Sequence, residues 1–383
     1  MQARKLITAL SGLALAAALP VLAQVKIGVI ASSSGPTAFV GIPQKNAVAL
    51  LPKKAGNLNI EYVVFDDASD STQSVQLTKK LLSETKIDAL IGPSGSPNAM
   101  GVLGFMAEGK TPMLAPVGTP AVVQPMDDKK RWVFKTHPND DVISEGLIAA
   151  MKKRGVKTIG FIGYNDPYGE SWYKVFSPMA KAAGIEIVAN ERYSRQDTSV
   201  TGQVAKLISV KPEAVLVAGV AAGAALPHGQ LVDAGYKGGI YHTHGSASGA
   251  FIQIGAKKVE GAFVVGPLLL VLDEIADSNA TKKVALEFVT AYEKQFASRP
   301  PIFGAGVYDA GLLLSRAIPE AAKKGQPGTP EFRAALRDAL ETTKDMTMSQ
   351  GVVNMTAQDH SGYDQRGTVL MTVKDGKFAL VKD

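Results

Sequence analysis

Short apolar runs alternate along this chain with longer stretches whose apolar residues recur every three or four positions. The runs at 25–30, 60–65, 158–162, 185–190, 214–218 and 240–242 read as strands. The stretches at 44–53, 75–83, 144–154, 170–183, 200–209, 226–234 and 250–255 read as helices, and Gly155, Gly184 and Gly235 stop three of them. Strictly alternating elements of this kind predict α/β architecture: parallel central sheets wrapped by helices through right-handed crossovers. The pattern then changes. Three long helices are expected at 282–296, 307–324 and 331–343, followed by a β-hairpin, 369–373 and 378–381, around Lys374-Asp375-Gly376. The segment Thr136-His137-Pro138-Asn139 and the stretches near Gly266 and Ser349 read as three crossings between two lobes.

Two consecutive units carry one signature. Ile91-Gly92-Pro93-Ser94-Gly95 leads into Ser96-Pro97, and Met113-Leu114-Ala115-Pro116-Val117-Gly118 leads into Thr119-Pro120. A hydroxyl residue followed by proline is a helix start, with the hydroxyl at the N-cap. Each unit is therefore expected to place a helix N-terminus at the C-terminal edge of a parallel strand, where open α/β sheets bind ligands. Two such N-termini side by side suit one carboxylate. Ser32-Ser33-Ser34-Gly35-Pro36 is a third small-residue loop at a strand end, so Ser34 joins Ser96 and Thr119 as a candidate.

Composition narrows the class. Arg4 and Lys5, an apolar stretch at 6–19 and Val21-Leu22-Ala23 form a predicted secretory signal, 1–23, cleaved after Ala23; a buried N-terminal helix is the competing reading. Periplasmic export is then expected, and the mature chain is long enough for two lobes. The net charge of +6 is mild and evenly spread, which argues against a nucleic-acid partner. With no cysteine there is neither a disulfide nor a lipid-anchoring thiol, and the apolar stretch 262–272 is broken by Gly266-Pro267. The protein is therefore expected not to be membrane-embedded, and to be a monomer.

In order, Val25-Lys26-Ile27-Gly28-Val29-Ile30, Ser34-Gly35-Pro36, Phe65-Asp66-Asp67, Ile91-Gly92-Pro93, Ala115-Pro116 and Tyr168-Gly169-Glu170 resemble the leucine/isoleucine/valine-binding, type I periplasmic solute-binding proteins of bacterial ABC importers. The resemblance implies two Rossmann-like lobes joined by three crossing segments: 24–138 with 268–348, and 139–267 with 349–383. It implies hinge closure on a small carboxylate ligand and delivery to a membrane permease, with no catalysis. It implies that the Ser96 and Thr119 hydroxyls hold the carboxylate, that the Val117 carbonyl takes an ammonium, and that Tyr168 closes from the second lobe.

Two departures bear on the ligand. Where the resemblance implies an acidic partner for an ammonium, the nearest residue is His244; Asp140 is a candidate substitute. An imidazole cannot replace a carboxylate facing an ammonium. The loop Ala218-Gly219-Val220-Ala221-Ala222-Gly223 lacks aromatic bulk, which predicts a larger pocket. Together they favour an aromatic or aliphatic acid over an amino acid, with His244 as hydrogen-bond donor. His242 and His244 share a strand face, but no third ligand lies at suitable spacing, so neither a metal nor another cofactor is expected. No nucleophile elbow, P-loop or H-E-x-x-H motif occurs, and Gly304-Ala305-Gly306 lacks the third glycine of a dinucleotide loop. An exported sensor domain acting through a signalling partner, or an exported hydrolase, are the other classes weighed.

Overall fold

The computed structural model describes residues 24–382; the predicted signal peptide lies outside them. Two sheets carry the fold. The first comprises β1 (Gln24–Ile30), β2 (Lys54–Ala55), β3 (Leu58–Phe65), β4 (Ala89–Ile91), β5 (Met113–Ala115) and β6 (Val133–Lys135), in the order β2-β3-β1-β4-β5-β6. The second comprises β7 (Thr158–Tyr164), β8 (Glu186–Tyr193), β9 (Ala214–Ala218), β10 (Gly239–His242) and β11 (Phe263–Pro267), completed by β14 (Thr368–Lys374) and β15 (Lys377–Leu380), in the order β15-β14-β11-β10-β9-β7-β8. A separate hairpin, β12 (Met346–Met348) and β13 (Gly351–Val353), lies between.

The central strands are parallel, with Val25 opposite Ile60 and Val29 opposite Ile91 in the first sheet and Ile162 opposite Val217 in the second. Helices cover both faces, so every residue of β9 is buried, as a doubly wrapped strand requires. Both sheets nevertheless have antiparallel edges, β2 on one and β14-β15 on the other. β6 and β11 are strands that the pattern did not reveal. β6 has only three residues, and β11 is hidden in the apolar stretch that runs on past Pro267.

Several helices begin earlier than predicted. α1 (Ala38–Val48) contains Pro43, and α2 (Ser71–Lys80) is capped by Asp70, whose carboxylate accepts from Thr72 N and Gln73 N. After α3 (Ser96–Glu108) come α4 (Asp140–Lys153), α5 (Pro167–Ala182), α6 (Thr201–Ser209), α7 (Ala222–Asp233), α8 (Gly249–Gly255), α9 (Ala280–Phe296), α10 (Ile302–Ala322) and α11 (Pro330–Glu341). α7 starts four residues before its predicted position and includes Pro227. α10 includes Gly304 and Gly306, which looked like loop residues. Their lack of side chains lets α10 sit close: a Cβ on Gly304 would lie 3.0 Å from the Pro43 carbonyl oxygen, and one on Gly306 2.7 Å from the His137 ring. The predicted helix after Thr119 is instead one 3₁₀ turn, Pro120–Val122.

The chain passes from the first sheet to the second through residues 136–139, between β6 and α4. Near Leu268 it returns towards α9 and α10, which pack beside α1, and beyond β13 it crosses once more to reach β14.

Candidate functional site

A cavity of about 50 Å³ lies where the C-terminal strand ends of the two sheets face each other. From the first-sheet side come Gly95 and Ser96, then Pro116, Val117 and Gly118 after β5, and Phe303 at the start of α10. From the second-sheet side come Tyr168 of α5, Arg195 beyond β8, Val220 beyond β9, and His244 and Gly245 beyond β10. His137 enters from the first crossing. Of the residues singled out in the sequence, Ser96, Val117, Tyr168 and His244 are brought together, whereas Thr119, Ser34 and Asp140 are not among the lining residues.

Ser96 is not the helix cap. Gly95 holds that position at φ 78°, a left-handed conformation suited to glycine, and Ser96 is the first helical residue. The Ser96 hydroxyl is buried and has no hydrogen-bond partner. Such a group costs about 1–3 kcal/mol unless something fills its need. Thr119 does cap its turn: its Oγ1 accepts from Ala121 N at 3.2 Å, and the residue is fully buried. Ser34 is exposed and fixes a neighbouring turn, its carbonyl accepting from the Ser69 hydroxyl at 2.7 Å.

Tyr168 donates or accepts at Thr243 Oγ1, 2.7 Å away, which holds the phenol against the cavity; burial pushes its pKa up, so it stays protonated. His244 lies in a 3₁₀ turn, His244–Ser246, with its Nδ1 buried and unpartnered. Burial, helped by His137 and the Lys135 ammonium, holds the His244 pKa well below the ordinary value, so the ring is neutral. Burial likewise lowers His137 to about 4.

Charge is kept behind the wall. Lys135 is fully buried and donates to the Gly118 carbonyl and, at 2.7 Å, to Asn139 Oδ1. Asp140, the first residue of α4, is also fully buried; its Oδ2 accepts from the Ser171 hydroxyl at 2.8 Å. Burial raises the Asp140 pKa and lowers that of Lys135, while each opposes the other's shift. Among the described residues no carboxylate lines the cavity. The one formal charge on its lining is Arg195, whose guanidinium is 2.5 Å from Asp166 and lies over the Tyr164 ring.

The loop 218–223, expected to enlarge the pocket, reaches its lining through Val220. Tyr193 and Tyr164 project from beneath it: a Cβ on Gly219 would sit 2.3 Å from the Tyr193 hydroxyl, and one on Gly223 1.7 Å from the Tyr164 hydroxyl. The loop is glycine-rich because aromatic rings from β7 and β8 already occupy its space. His242 faces away, bonded to His228 Nδ1 at 2.8 Å and to the Ser246 hydroxyl at 3.2 Å.

His137, Arg195 and Phe303 were not recognised from the sequence. Arg195 lies two residues beyond the end of β8, so the strand-edge argument used for Ser96 would have found it. His137 lay in a segment read only as a crossing, and Phe303 follows Pro300-Pro301 at a helix start hidden by glycines.

Residues 24–377 match the family model for the periplasmic binding protein. The chain is 27% identical over 363 residues to the Leu/Ile/Val-binding protein BraC3 of Rhizobium johnstonii, covering 89% of this chain and 91% of that one. An extracellular ligand-binding receptor from Rhodopseudomonas palustris superposes with a TM-score of 0.90 at 43% identity, over 94% of this chain and 100% of that one. A leucine binding protein from Thermotoga maritima shares the fold, with a TM-score of 0.80 at 21% identity over 94% of this chain and 98% of that one.

Proposed function

From the membership of this chain in the periplasmic binding protein family, of the Leu/Ile/Val-binding type, we propose that it captures a small carboxylic acid between two lobes and presents it to the membrane permease of an ABC importer. The lobes in this reading are 24–138 with 268–348, and 139–267 with 349–383. No step of the reading involves chemistry on the ligand. Export to the periplasm and a monomeric state are part of the same proposal.

The observation that supports the acid is the pairing of an unpartnered, buried Ser96 hydroxyl with a neutral His244 in a cavity whose lining includes no carboxylate. Ser96 would donate to a carboxylate from the first lobe, and His244 would donate a ring N–H from the second. Tyr168 would close the apolar side together with Phe303. Thr119 would act through its turn, and the Lys135 ammonium would add positive potential behind Gly118. An α-ammonium would enter this cavity without a counter-charge, which is costly in a buried site. The reading therefore favours aromatic or aliphatic acids without an amino group.

The test is a thermal-shift screen of 24–383 against leucine, isoleucine, valine and matched acids lacking the amino group, since a ligand of the native state raises Tm by mass action. Shifts by the amino-free acids alone are expected. A shift produced by leucine, isoleucine or valine alone would overturn the preference.

A further inference from the structure

One buried side-chain network connects the crossings to the cavity. Asp309 of α10 is fully buried, and its carboxylate accepts from Ser349 N at 2.8 Å, from Gln350 Nε2 at 3.1 Å and from the Tyr363 hydroxyl at 3.1 Å. Gln350 Nε2 also donates to the Thr136 carbonyl at 2.9 Å. Gln350 Oε1 lies 2.6 Å from His137 Nδ1.

These contacts leave one consistent proton arrangement. A backbone carbonyl only accepts, so the amide nitrogen of Gln350 must face Thr136, and Oε1 must face His137. Oε1 also only accepts, so His137 Nδ1 carries the hydrogen. A neutral imidazole has one N–H, so Nε2 keeps a lone pair. Among the described residues no protein donor is bonded to that Nε2. Gly306 lies beside it, where any Cβ would stand 2.7 Å away, and the ring lines the cavity.

We propose that Gln350, braced by Asp309, is a specificity-positioning residue: it locks His137 so that the cavity presents a hydrogen-bond acceptor, and the protein selects carboxylic acids that also carry a hydroxyl donor. This rests on the carboxylate reading above. A ligand hydroxyl reaching His137 meets a lone pair free of competing protein partners. An analogue without the hydroxyl leaves that buried acceptor unsatisfied, and sites built to bond a ligand hydroxyl reject analogues lacking it for this reason.

Two measurements test it. The chain has five histidines, so ¹⁵N-histidine labelling and long-range ¹H–¹⁵N correlation give a readable spectrum, with His137 assigned from a His137→Gln variant. The wild-type protein should show the Nδ1–H tautomer at His137, and Gln350→Leu should abolish that preference. Calorimetry then compares butyrate with 4-hydroxybutyrate, and phenylacetate with 4-hydroxyphenylacetate. In at least one pair the hydroxylated acid should bind about ten-fold more tightly, as one well-placed hydrogen bond gives. Gln350→Leu should shrink that ratio below about three-fold, whatever it does to the affinity of the unsubstituted acid. An Nε2–H tautomer in the wild type overturns the lock, and equal affinities within both pairs overturn the selectivity. If no acid binds although the Nδ1–H tautomer is seen, the carboxylate reading fails, and the selectivity with it, while the lock stands.

Discussion

Gly118→Ala adds one methyl group at the point where the two lobes meet. The added Cβ would lie 3.0 Å from His244 Nε2, 3.1 Å from His244 Cε1 and 3.1 Å from Tyr168 Cε2. All three atoms belong to the opposite side of the cleft, and each distance is tighter than ordinary van der Waals contact. Inserting a methyl group into a packed site costs about 1–3 kcal/mol. With the lobes hinged as proposed, the cost would fall on the closed arrangement alone, because opening the cleft would carry His244 and Tyr168 away. Gly118 does not have the positive φ that favours glycine, so alanine adds no backbone strain, and stiffening the unfolded chain is mildly stabilising. The expected result is a ligand-free Tm equal to or slightly above that of the wild type, with affinity reduced about 5- to 150-fold, the equivalent of 1–3 kcal/mol. Isothermal titration with whichever acid gives the largest thermal shift measures the loss. Small-angle scattering should show a larger radius of gyration with that acid present than the wild type has under the same conditions. Affinity within two-fold of wild type would refute closure onto Gly118. A fall in ligand-free Tm would show that the methyl group disturbs the first lobe itself.

The two hydroxyls of the signature should separate. Ser96→Ala is expected to leave Tm unchanged or higher, because the lost group has no protein partner, while affinity falls about 10- to 150-fold through a lost hydrogen bond to a charged group; titration and melting on one sample check both. Thr119→Ala, in contrast, should cost about 1 kcal/mol of stability through loss of its cap, read as a lower Tm. Gly41→Ala should cost about 3 kcal/mol or more, because its Cβ would fall 2.1 Å from the Ser32 backbone; a Tm loss under one degree would show that α1 can shift. His228→Gln keeps an acceptor for His242 but cannot take a proton. Burial lowers the His228 pKa to about 4, below its unfolded value, so between about 6.5 and 4 the unfolded chain binds a proton that the folded chain does not, and stability is lost as pH falls through that window. Removing the group should flatten the acid limb of the unfolding free energy by up to about 1.4 kcal/mol per pH unit; an identical slope in the variant would refute it.

The alternation of apolar runs and amphipathic stretches carried most of the architecture, because wrapped parallel strands and their helices each have a distinct period. What it missed had no period to display. β6 is three residues long, β12 and β13 form a hairpin of three-residue strands outside both sheets, and the antiparallel edge strand β2 has two residues. The helix starts of α1 and α10 were masked by Pro43, Gly304 and Gly306, residues that normally break helices; the two glycines are required by close packing against α1 and His137. At the site, Ser96 was singled out from its place after a strand and His244 from the family resemblance, and both line the cavity. The local role of Ser96 was not legible, because Gly95 takes the cap that Ser96 was expected to fill. What lies beneath the loop 218–223 could not be anticipated either, since the rings of Tyr164 and Tyr193 arrive from elsewhere in the chain.

The single carboxylate of Asp309 holds Ser349, Gln350 and Tyr363, and through Gln350 also Thr136. Two separate passages of the backbone between the lobes are thereby pinned to one point on α10. In the two-lobe reading proposed above, neither strap could bend without dragging the other, so the lobes would swing as a door does on aligned hinges, about one axis, with twisting and sliding suppressed. A molecule whose two halves meet in only one relative pose offers the same outer face each time it shuts. Whatever permease reads that face in the proposed function could thus tell full from empty by shape alone.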